Sequence, residues 1–112
     1  MSGIVTPPIL QPFILPPKYS TETKIASIDF SDSLNIGETI VSIQNMSIFV
    51  IQGTDPNPNS MLTGTTTVIG NIVNQPVMGG IDGNIYNIAV SINTSLGQIL
   101  TNVAQFGVVS RI

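Results

Sequence analysis

The residues with chemistry to offer are few and scattered. Cysteine and histidine are absent, which excludes disulfides, thiolate metal sites, cysteine nucleophiles, His-based triads and the usual zinc ligand sets. A glycine-rich stretch, a handful of carboxylates and three cations remain. The stretch is "MGGIDGNIYNIAVSINTSLGQIL", residues 78–100. Glycines at 79, 80 and 83 could cradle a phosphate, but a phosphate loop lies between a strand and a helix whose N-terminus meets the anion. These glycines lead into a strand, without a GKS/T or GxGxxG spacing, so they read as a strand-to-strand corner that needs positive φ.

The acids fare no better. Asp29 and Asp32 are near neighbours, while Asp55 and Asp82 sit in loop-like sequence. Loop oxygens can hold calcium, yet nothing resembles the twelve-residue calcium loop, and isolated loop aspartates are usually turn formers. A glycosidase pair needs two acids across a sugar-sized cleft, which a flat sandwich does not offer. A Ser or Thr nucleophile needs an activating base, and Lys18 and Lys24 are poor ones. Platforms for sugars or bases need several exposed rings, whereas the chain has two Tyr, four Phe and no Trp. Asn45-Met46-Ser47 and Asn93-Thr94-Ser95 fit the glycosylation acceptor pattern, an accidental match where the N-terminus shows neither the basic region nor the apolar run of a signal peptide. No catalytic, cofactor-binding or metal residue is assigned, and the chain is expected not to be an enzyme.

Charge narrows the partners further. Charged residues make up 8% of the chain, against about 25% in an average soluble domain. The net charge is −3, and Lys18, Lys24 and Arg111 are spread apart. Nucleic-acid binding needs clustered cations, so that partner is excluded. The longest apolar run, Ile48-Phe49-Val50-Ile51, falls far short of the roughly 20 residues that cross a bilayer as a helix; a membrane partner is not expected. With 42% hydrophobic residues the chain is not of the disordered type. So little charge to keep copies apart predicts a homo-oligomer.

Two regions would position these residues. Residues 1–23 form an extended N-terminal arm: residues 1–17 hold five of the eight prolines, interleaved with apolar side chains. Proline fixes φ and deletes an amide donor, so the segment can be neither helix nor central strand. Stretched as polyproline II, it reaches on the order of 50 Å at about 3.1 Å per residue. Pro7, Pro8, Ile9, Leu10, Pro12, Phe13, Ile14 and Leu15 are too apolar for a free linker, and are the candidate interface with a neighbouring subunit.

Residues 24–112 read as one β domain. "KIASIDF" ends in an Ile28/Phe30 alternation. "ETIVSIQ" alternates Thr39, Val41 and Ile43 against Ile40, Ser42 and Gln44. "MSIFVIQ" puts Met46, Ile48 and Val50 on one face, and "GTDPNPNSMLTG" is a turn-rich loop. "TTTVIGNIV" is strand-like with Gly70 a candidate bulge, and "QPVM" is a short strand whose proline suggests an edge. In residues 86–93 Tyr86, Ile88, Val90 and Ile92 alternate with Asn87, Ala89, Ser91 and Asn93, one face buried and one wet. "GQILTNVAQFGVVSRI" supplies the last strand, with Gly107 a second candidate bulge. About seven short strands with regular turn signals predict an antiparallel β-sandwich.

"IDFSDSLNIGETIVSIQ", followed by "VMGGIDGNIYNIAVSINTSLGQ", resembles a family of small immunoglobulin-like virion structural proteins of tailed bacteriophages, encoded among the head and neck genes. The first block carries the likeness on Asp29, Phe30, Leu34, Gly37, Thr39 and Ile40. The second carries it on Gly79, Gly80, Gly83, Tyr86, Thr94, Ser95 and Gly97. The likeness spans roughly residues 25–112 and leaves out the arm. It departs where the family often has tryptophan, at Phe30 and in the strand before the double glycine, and Gln98 lacks the usual charged neighbours. The resemblance implies an immunoglobulin-like fold and a non-enzymatic virion protein, made in the host cytoplasm, that partners other virion proteins. The first expectation is a capsid-stabilising cement or decoration protein present in many copies, its arm linking neighbours. The alternatives are a neck or tail protein that connects head to tail or anchors a fiber, and a carbohydrate-binding or adhesin module.

Overall fold

The computed structural model describes residues 13–109. They form two β-sheets and one short 3₁₀ turn, with no α-helix among the described residues. No helix there is long and apolar enough to cross a membrane. The strands are β1 (Phe13–Ile14), β2 (Lys18–Tyr19), β3 (Thr23–Asp29), β4 (Ile40–Gln52), β5 (Thr67–Ile69), β6 (Ile72–Met78), β7 (Ile85–Thr94) and β8 (Ile99–Val109). The larger sheet has the order β1-β8-β7-β4, with β2 also on β8; the smaller has the order β3-β6-β5.

Alternation explains why the two sheets face each other. Along β7, Tyr86, Ile88, Val90, Ile92 and Thr94 are buried, and the residues between them are half-buried. On β3 and β6 the buried positions are Ala26 and Ile28, then Val73, Gln75 and Val77. Side chains from both sheets, with Phe30 and Met61 from the connections, make one buried cluster. Eight of them, including Tyr86, Phe30 and Ile88, are wholly inaccessible. Burying side chains of this size contributes roughly 1.5–3 kcal/mol each, so the shared core is what holds the sheets together.

Several expectations need correction. The pairing is not wholly antiparallel, because β1 and β2 run parallel to β8, Phe13 opposite Ala104 and Lys18 opposite Val108. Gly70 is no bulge; with Asn71 it makes the tight turn between β5 and β6, at φ 60°. "QPVM" is not a separate edge strand but the second half of β6, the middle strand of its sheet. Its proline is tolerated because β5 reaches only to Asn74, leaving the flank of Pro76 to a loop whose Thr63 N–H donates to the Pro76 carbonyl. Gly107 lies in regular register opposite Ile85. Finally, "ETIVSIQ" and "MSIFVIQ" form one strand, and Val41 does not share a face with Ile43. Register shifts between Ile40 and Ser42 and between Ile43 and Asn45 reset the phase, so Ile40, Ile43 and Met46 all pack on the core while Val41 is 65% exposed. A bulge adds a residue to one strand only, which breaks a strict period of two.

Candidate assembly interface

The segment from Phe13 to Glu22 is held along the β8 edge. Leu15 N–H donates to Gln105 O at 2.8 Å and Ser20 N–H to Val109 O at 3.0 Å, on either side of Pro16 and Pro17. The two prolines carry no donor, which is why the pairing comes in two-residue pieces. Leu15 packs on the core, whereas Phe13 and Ile14 stay 45% and 74% exposed. Between this segment and β3 runs a groove floored by Ala26, Val77 and Phe106. Pro7, Pro8, Ile9, Leu10 and Pro12, the rest of the expected interface, lie outside the described residues.

Lys18 fastens the segment at its far end. Its side chain is buried, and its ammonium donates to Tyr19 O at 2.8 Å and to Gly79 O at 2.6 Å. Burial pulls its pKa below the ordinary lysine value, partly opposed by the Glu22 carboxylate. A buried ammonium survives only where its protons find acceptors, and two carbonyls supply them. Nothing in the sequence marked this residue; a lysine after two prolines looks like any solvated charge.

Gly79 opens the corner that carries the chain from β6 in the small sheet to β7 in the large one. Gly79, Gly80 and Gly83 have φ of 66°, 94° and 83°, a region side chains avoid. At Gly80 space matters as well, since an added Cβ would stand 2.8 Å from both Met61 Cε and Val108 Cγ2. Gly83 N–H donates to Val108 O at 2.8 Å. The fully buried Tyr86 completes the corner: its hydroxyl accepts from Ile81 N–H at 2.9 Å and Asn84 Nδ2 at 3.2 Å, and donates to Asp55 Oδ2 at 2.8 Å. Burial raises the phenol pKa above its usual value. Asp55 also accepts from Asn57 N–H at 2.9 Å, and Asn84 Nδ2 donates to Thr54 O at 2.9 Å. The corner and the loop after β4 are thereby one unit. The sequence places Asp55 in a loop but does not show its bond to Tyr86, because a loop aspartate, like the corner asparagine Asn84, reads as a turn former.

The other block is at the far end of β6. Asp29 is exposed, and its Oδ1 accepts from Ser31 N–H at 2.8 Å and Ser31 Oγ at 2.6 Å, which lowers its pKa. This turns the chain so that Phe30 drops into the core and Leu34 packs against it. Glu38, buried, accepts from Asn35 N–H at 2.9 Å and from the Thr94 hydroxyl, and both hold its carboxyl below the usual range. Gly97, at φ 80°, closes the β7–β8 turn with its N–H on Thr94 O. These residues shape turns at two ends of the molecule and do not converge on a cleft. Among the described residues, no three acidic side chains stand close enough to hold a metal ion.

One surface stands out by its lack of charge. β4, β7 and β8 contain no Asp, Glu, Lys or Arg. Across their outer face runs a row from Phe49 through Asn87 and Gln105 to Ile14, and Ile51 on β4 and Ile99 at the start of β8 are exposed as well. Asn87 Oδ1, in the middle of that row, is covered and has no donor. The far side of β4 is an edge without a partner strand among the described residues. Uncharged, unpaired edges invite addition of another chain.

The family model described as podophage GP4 fiber-tail adaptor protein gp77 matches residues 18–106, the two sheets almost entire. No curated protein matches the chain.

Proposed function

The chain belongs to the podophage fiber-tail adaptor family, and from that premise we propose that it is a non-enzymatic structural protein of a tailed-phage virion that joins a fiber to the tail. The observation that carries the reading is the extent of the match, from Lys18 at the arm root to Phe106 in the last strand. The likeness thus takes in the scaffold and its fastening together. The neck-or-tail alternative fits this family better than a capsid-coating role, which has no support of its own in the fold.

The reading assigns a part to each region. The two-sheet domain is taken as an immunoglobulin-like scaffold, supported by two sheets around one core. Other virion proteins of the tail would be its partners, met through backbone edges and the uncharged face rather than through ion pairs. The arm would link neighbouring copies. Each such contact orders flexible chain and is weak alone; repetition around a symmetric assembly makes it strong.

Particles made from a genome lacking this chain test the reading. Filled heads bearing tails but no fibers are expected, with fibers restored by adding the purified protein. Normal fiber occupancy together with heads that leak DNA would overturn it in favour of the head surface.

A further inference from the structure

We propose that the β4 edge of each copy receives the N-terminal segment of a second copy, Pro8-Ile9-Leu10, as an added short strand. This rests on the reading that the arm links neighbours, and names the surface it would use. The first support is a repeat in the arm. Residues 7–11, Pro-Pro-Ile-Leu-Gln, are echoed five residues later by 12–16, Pro-Phe-Ile-Leu-Pro. The second unit shows what such a sequence does: Phe13 and Ile14 pair with a sheet edge, and Leu15 N–H bonds to it before the prolines interrupt. The first unit keeps the Ile-Leu step, with Pro8 where Phe13 stands, so Leu10 N–H can bond to an edge as Leu15 N–H does, one donor fewer being available at Pro8.

The second support is where edges remain open. Beyond Ala104 the same chain's β8 is tied to the end of β3, Asn102 Nδ2 donating to Asp29 O at 3.0 Å. At the opposite side of the sheet, the outer edge of β4 has no partner strand among the described residues. At Ile48 that edge is covered: its N–H is taken by Asn59 Oδ1 at 2.7 Å, and the 3₁₀ turn Pro58–Met61 packs on β4. Backbone groups alternate in direction along an antiparallel strand, so those of Met46 and Val50 point outward with that of Ile48. No charge on β4 opposes an apolar segment.

The third support is reach. β1 and β4 lie at opposite edges, about 14 Å apart at roughly 4.8 Å per strand, with β8 and β7 between. To meet its own β4 the arm would have to fold back across the sheet face. To meet a neighbour's it need only continue outward: Phe13 is fixed on β8, and the three residues from there to Leu10 reach roughly 9 Å at about 3.1 Å each, short of the chain's own β4 and enough for a neighbour's β4 lying beside β1. A donor edge at one side and an acceptor edge at the other make a head-to-tail contact, the kind that closes into rings.

The absence of cysteine makes the test clean. Full-length I9C protein is mixed with N45C, or with D82C as a remote exposed control, and treated with a short bis-maleimide. At least tenfold more I9C–N45C than I9C–D82C heterodimer is expected. Equal yields overturn the proposal, as does an I9C/T101C chain that links internally in place of the I9C–N45C product. Fiber attachment is scored separately on particles. Fibers in place without the I9C–N45C link refute this inference alone, while the link without any effect on fibers refutes the adaptor reading alone.

Discussion

Replacing Tyr86 with phenylalanine isolates the polar knot that fixes the corner. The ring is retained, along with its stacking on Phe106 at 5.8 Å between centroids, so hydrophobic burial is almost unchanged. What disappears is one hydroxyl and its three hydrogen bonds, to Ile81, Asn84 and Asp55. Two neutral bonds contribute about 1 kcal/mol each, and the bond to a carboxylate more, discounted because Asp55 can recover water. The sum is about 3 kcal/mol, or roughly 12–20 °C in Tm for a domain of this size. Urea unfolding of Tyr86→Phe at neutral pH, at unchanged m-value, measures it directly. Combining Tyr86→Phe with Asp55→Asn in a double-mutant cycle should reveal coupling of about 1 kcal/mol or more. Because the folded phenol pKa is raised, its extra stability is complete below the unfolded value of about 10 and is lost as pH rises through the folded one. The gap between parent and variant should therefore narrow in alkali. A variant within about 0.5 kcal/mol of the parent, the ordinary range of surface changes, refutes the account of the corner.

The corner glycines should differ among themselves: Gly80→Ala, forced against Met61 and Val108, is expected to cost about 2–4 kcal/mol. Gly79→Ala, with open space around its Cβ, should cost only about 1 kcal/mol for its positive φ, as thermal unfolding of the pair will show. The lowered pKa values of Glu38 and Asp29 place their stabilisation above the unfolded carboxyl pKa of about 4, to be lost as pH falls through the folded values. Glu38→Gln should accordingly flatten the dependence of the urea midpoint on pH between about 5 and 3. Deleting residues 2–12 should leave Tm unchanged and lower the oligomer mass seen by sedimentation. Deleting 2–17 should also lower Tm, because it removes β1 and the Leu15 contact with the core.

How far the sequence could be read depended on whether a residue's role was periodic or relational. β7 was legible because burial on one face imposes a strict period of two, and Tyr86 to Ile92 show it without interruption. β4 was legible only as strand-like, since its three register shifts depend on how β7 lies beside it. The hairpin at Gly70 was misjudged because a glycine within β-branched residues suits a bulge and a tight turn equally well. Met61, buried inside what reads as a polar loop, has no periodic neighbours to announce it. Lys18 and Asp55 have roles set by Gly79 and Tyr86, 61 and 31 residues away, and no local pattern encodes such partners.

The same distinction explains why the functional surface was harder to locate than the fold. Catalysis needs particular side chains at particular spacings, so the expectation of a non-enzymatic role could be argued from composition. Strand addition uses backbone donors and acceptors that every residue possesses, and it leaves no residue-specific signature. What a sequence can show is the removal of obstacles. β4, β7 and β8 lack the charges with which exposed edges are usually protected, and short apolar pairs stand between the prolines of the N-terminal sequence. For an adaptor that must hold unlike structures together, such a surface has an advantage. Pairing through the backbone tolerates variation in the partner's side chains, while the number of repeated contacts sets the strength of the joint.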